Sequence, residues 1–174
     1  MHEGGSAPQE ARGPQGLLRR LTEAWALLGG LLLLAIALMT SYSAGAGWFF
    51  GKPLPGDVEL VEMLTAVSVF MFLPYCQISG ANVTADLFTA GASPRTVARL
   101  ELLGAVVALA FSLVLLWRMY DGLLSYRQYV ETTTILKIPI WYAYLPALLS
   151  LVLLAAAAVD TVRGALRRAR RPLG

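Results

Sequence analysis

Glu59 and Glu62 stand one helical turn apart in DVELVEML, a pair of carboxylates able to meet a partner protein outside a membrane. The same two groups also suit a helix start, where negative charge complements the helix dipole. The second polar constellation is Gln77, Ser79, Gly80, Asn82, Thr84 and Asp86, written between two apolar runs. Such groups do not face lipid without cost, so the stretch is either a solvated turn or a packed contact surface. Redox and metal chemistry are poorly provided for. Cys76 is the single cysteine, which excludes an intrachain disulfide and any multi-cysteine motif. His2, in a terminal tail, is the single histidine, so no bis-histidine haem or histidine metal site can form among the apolar segments. These residues indicate no cofactor and no enzyme.

The elements that carry them are apolar. Of 174 residues 57% are hydrophobic and 14% charged, against about 25% charged in a soluble domain, and the mean hydropathy is +0.62. Charge-free windows run over 24–51, 63–85, 102–117 and 138–159. Three exceed the ~20 residues that cross a bilayer, and the third reaches that length if Arg99 and Arg118 snorkel. The fold class is therefore all-α, an integral membrane bundle of four transmembrane helices. The first span is too long for a secretory h-region and reads as an uncleaved helix. Glu23, Glu62, Glu101, Arg118 and Asp160 all fall at span ends. A chain that itself moves ions would carry ionisable groups inside its spans, so this one does not read as the moving part.

Residues 1–16, rich in Gly and Pro, read as a disordered tail. A membrane domain follows over 17–162 and a basic tail over 163–174. Helix 1 is expected from Leu17 to Trp48, and Asp57 as the cap of a helix 2 that runs towards Ile78 with a kink or early stop at Pro74. Ser93 and Pro94 start helix 3, which continues to about Tyr120. The spacing of Leu123, Tyr126 and Val130 suggests a short interfacial helix before an extended Thr-rich piece. Pro139 opens helix 4, expected to end near Asp160. Gly104, Ala108 and Ser112 form a small-residue stripe on helix 3 that admits another helix, from this chain or another. Arginines gather in both terminal segments and at Arg95 and Arg99, placing both termini in the cytoplasm by the positive-inside rule. Trp48, Trp117, Tyr120, Trp141, Tyr142 and Tyr144 would form a belt at the opposite interface.

The order of these motifs resembles one family. Asp57-Val58-Glu59-Leu60 opens helix 2, Gly80-Ala81-Asn82-Val83-Thr84-Ala85-Asp86 follows it, and Ile138-Pro139-Ile140-Trp141-Tyr142-Ala143-Tyr144 opens helix 4 after a long helix 3. This pattern, over about 17–162, is similar to the small membrane subunit of TRAP transporters, the tripartite ATP-independent periplasmic carriers. The resemblance implies three partners: a large membrane subunit as a separate chain, a periplasmic substrate-binding protein and membrane lipid, with no nucleic acid. It also implies a bacterial inner-membrane location and a fixed scaffold role in sodium-coupled uptake of an organic acid. Partner-contact candidates are Glu59, Glu62, Gly80, Asn82, Asp86, Gly104, Ala108, Pro139, Trp141 and Tyr144. From the residues alone, an assembly subunit of another inner-membrane complex and a stand-alone exporter remain as alternatives.

Overall fold

The computed structural model describes residues 14–79 and 94–170, and among them the protein is four long helices: α1 Pro14–Phe50, α2 Asp57–Ile78, α3 Pro94–Tyr129 and α4 Trp141–Arg170. Each contains a window long and apolar enough to cross a membrane. The expected all-α membrane fold is present. The tail over 1–13 lies outside the described residues, as does the stretch 80–93 that holds Gly80, Asn82 and Asp86.

Several boundaries differ from those read in the sequence. Asp57 is not the cap of α2: Gly56 takes that position in the left-handed region at φ 79°, and Asp57 is the first helical residue. Its Oδ1 accepts the Val58 N–H at 2.8 Å. The short interfacial helix is not separate either. Residues 121–129 continue α3 without a break, because nothing between Arg118 and Tyr129 opposes helix except Gly122. Two turns of α3 beyond Tyr120 thus project past the apolar window. α4 opens at Trp141, two residues after Pro139, and does not stop near Asp160 but runs to Arg170. Ala, Leu and Arg are strong helix formers, so the basic segment extends the helix. Pro74 ends nothing: α2 passes through it to Ile78.

The helices pack side by side in the order α1, α2, α4, α3. α1 lies along α2, α2 along α4 and α3 along α4, while α1 only brushes α4 and α3 approaches neither α1 nor α2 closely. Side-chain size explains the order. The contact face of α4 is Ala147, Ser150, Leu151, Leu154, Ala157, Ala158 and Ala165, all buried. The small members of this face, Ala147, Ser150, Ala157, Ala158 and Ala165, let two neighbours approach one helix on opposite flanks. α1 buries Thr22, Ala26, Gly29 and Ile36, and it meets α2 closely at Gly29, where a Cβ would lie 3.0 Å from the Cβ of Met71. The outer helices instead show lipid-sized side chains to the surroundings, such as Leu27 and Leu38 on α1 and Val107 and Phe111 on α3, each more than half exposed.

Candidate functional site

A hydrogen-bonded set of polar residues converges at one end, where α1 stops, α2 starts and the α3–α4 connection folds over. α1 contributes Ser43, fully buried. Its hydroxyl donates to Asp57 Oδ2 and accepts the Leu54 N–H at 3.0 Å. One side chain thereby fixes the α1–α2 loop to the first residue of α2.

The α3–α4 connection is a closed hairpin. Ile140 N–H donates to the Glu131 carbonyl at 3.1 Å, Thr133 N–H to the Ile138 carbonyl at 2.9 Å, and Ile138 N–H to Thr133 Oγ1 at 3.1 Å. Thr132 and Pro139 form a single antiparallel bridge. This agrees with the extended Thr-rich piece expected from sequence. Two non-glycine residues, Val130 at φ 49° at its start and Lys137 at φ 56° just after its turn, take left-handed conformations. For β-branched Val130 that is a sterically costly state, held by the surrounding bonds.

Glu59 binds the hairpin to α2. Its Oε1 accepts the Ile135 N–H at 2.7 Å and its Oε2 the Leu136 N–H at 3.1 Å. A carboxylate accepting two adjacent N–H groups makes charge-assisted bonds, stronger than amide pairs. Leu136 also lays its side chain over Gly56, where any Cβ would collide with it. The positive φ and this contact both demand glycine there. A further lock lies between α3 and α4: the Tyr144 ring packs on Tyr126 at 5.2 Å between centroids and covers Gly122, whose missing Cβ would sit 2.9 Å from Tyr144 Cε1.

The candidate residues divide accordingly. Glu59, Pro139, Trp141 and Tyr144 come together around the hairpin, with the Trp141 ring tilted at 46° against its neighbour Tyr142, 4.2 Å between centroids. Glu62 is exposed on the flank of α2 and has no hydrogen-bond or ion-pair partner among the described residues. Gly104 is exposed, with nothing within 4 Å of the place a Cβ would take, and Ala108 is half-buried. α3 meets α4 through Ala105 and Ser112 instead, so the stripe is turned partly outward. Sequence reading missed Ser43, Gly56, Gly122 and Leu136. Gly56 after Pro55 was legible as a turn; the partner that makes it indispensable was eighty residues away.

Within the spans the hydroxyls are satisfied locally. Ser68 donates to the Leu64 carbonyl, Ser112 to Leu109, Ser150 to Pro146 and Thr161 to Ala157, at 2.8 to 2.9 Å. One bond crosses helices: Trp25 Nε1 donates to Ser150 Oγ at 2.8 Å. No buried side-chain polar atom among the described residues lacks a partner.

No curated protein and no solved structure matches the chain. A family model does, that of the DctQ component of the tripartite ATP-independent periplasmic transporters, over residues 36–168. The match starts within α1, runs through the clamped hairpin and closes near the end of α4, well over half of the chain. This protein therefore belongs to the DctQ family, the small membrane component of TRAP transporters.

Proposed function

We propose that this chain is the fixed scaffold subunit of a sodium-coupled importer of an organic acid. The large transport subunit would be a separate chain, a periplasmic binding protein would deliver the substrate, and both termini would lie in the cytoplasm. The observation that carries this reading is the interior of the spans: the hydroxyls of Ser68, Ser112, Ser150 and Thr161 bond to carbonyls of their own helix, and one polar bond, Trp25 to Ser150, joins two spans among the described residues. A moving carrier needs polar or ionisable groups at membrane depth. The clamped end supports the same role, since Ser43 and Glu59 tie two connections, the α1–α2 loop and the α3–α4 hairpin, to the start of α2.

The large subunit would meet the outward-turned part of the Gly104 and Ala108 stripe, whose open side admits a foreign helix. It would also meet the stretch holding Gly80, Asn82 and Asp86, while Glu62 and the Pro139, Trp141 and Tyr144 region would face the opposite compartment. The test is reconstitution. Liposomes holding the large subunit and this chain, with binding protein and a sodium gradient outside, should accumulate substrate; omission of this chain should abolish uptake, and this chain alone should transport nothing. Transport by this chain alone would support an exporter, and undiminished uptake without it would end the scaffold reading.

A further inference from the structure

Because α2 and α3 both pack on α4 but not on each other, a slot runs between them with α4 as its floor. The cavity measures about 460 Å³. Its walls are Met63, Ala66 and Phe70 of α2 and Met119 of α3, over a floor of Ala143 and Ala147. At the hairpin end its lip is polar: Glu62, Tyr126, Tyr144 and the threonines 132–134.

Three features decide what fits. The first is depth: Glu62 to Phe70 is two helical turns, about 12 Å at 1.5 Å per residue. That is close to the ~15 Å of one leaflet of a ~30 Å hydrocarbon core. The second is closure, since the hairpin that Glu59 holds onto α2 lies across the end of the slot. A helix of ~10 Å diameter crossing the whole bilayer would run into that hairpin, whereas an acyl chain ends at this level. The third is charge. The lining has no lysine or arginine, and its free carboxylate is Glu62, because Glu59 is engaged with backbone N–H groups.

We infer that this slot is a phospholipid site: one acyl chain lies between α2 and α3 over Ala143 and Ala147, and an amine-bearing headgroup such as ethanolamine sits beside Glu62. The lipid fills the gap that the packing order leaves and completes the α2–α3 side of the subunit. This goes beyond the scaffold reading and does not depend on transport.

The test uses the full chain in nanodiscs of equal phosphatidylethanolamine and phosphatidylglycerol, followed by native mass spectrometry after transfer to mild detergent. The parent should retain about one lipid per chain, enriched in the ethanolamine species. Glu62→Gln should keep the lipid but lower that enrichment about two- to fivefold, the range of a single exposed ion pair. Ala66→Phe, whose ring would enter the slot from an exposed position, should lose the lipid while retaining full helical circular dichroism; Ala143→Phe serves as the second filling variant. Retention unchanged in both filled variants, or no headgroup preference in the parent, overturns the proposal. So does efficient cross-linking of a photoreactive residue at position 66 to a helix of the large subunit in the assembled complex, which would assign the slot to protein.

Discussion

Glu59 illustrates how one side chain can organise a membrane protein's exposed end. It sits in the first turn of α2, where the dipole favours it, yet its oxygens are taken by Ile135 and Leu136 N–H groups. Glutamine in its place offers one acceptor and turns an NH2 group towards the second N–H, so the Glu59→Gln hairpin should open more often. Amide exchange at Ile135 and Leu136 should quicken about tenfold, the factor for losing a single good hydrogen bond; unchanged protection would mean that the hairpin stands by itself. Gly56 permits a sharper test. Alanine there meets both an unfavourable φ of 79° and the Leu136 side chain. Gly56→Ala should cost more than about 1 kcal/mol in thermal unfolding in detergent. Adding Leu136→Ala should recover the steric part alone, and full recovery would show that the backbone conformation carries no strain.

Elements follow their side-chain sizes. α4 is the hub because alanines and serines on two flanks let α2 and α3 both approach. α1 reaches the hub mainly through the Trp25 to Ser150 hydrogen bond. Such interhelical bonds in membranes average about 0.6 kcal/mol, since the separated helices find other partners. Trp25→Phe should therefore cost little, about 0.6 kcal/mol and no more than about 2. Gly29→Leu should cost more, about 1–3 kcal/mol, because Met71 Cβ and the Ser68 carbonyl already lie at 3.0 and 3.4 Å from the new Cβ. Comparison of the two by unfolding in detergent separates polar ties from close packing. A larger loss in Trp25→Phe would show that the polar tie outweighs the close packing.

At the scale of the whole molecule, a layer of four helices exposes far more apolar surface than a closed cluster of the same helices. The share of buried residues is 33% in the apolar window of α4 and 11% in that of α3. Surface of that kind is suited to lipid and to a large partner subunit. Orientation follows from charge under the scaffold proposal: reporter fusions at Gly91 and Gly174 should read cytoplasmic and one at Pro55 periplasmic, because arginines gather at the former end. A periplasmic signal at Gly174 would invert the topology.

Features under local physical control could be read from the residues directly. Apolar length set four spans, Pro94 set the start of α3, and threonines with Pro139 set an extended connection. Motif order was enough to indicate the family that the match over 36–168 then identified. Where a boundary depends on competition between continuing and stopping, as after Tyr120 or Asp160, the apolar window misled: helices extend beyond the hydrocarbon as long as their residues permit it. That α4 lies between α2 and α3, that Leu136 covers Gly56 and that Glu59 closes the hairpin emerged from the packed molecule. Each of these joins residues far apart in the chain, and the periodicity of one helix carries no information about which other helix its small-residue face will meet.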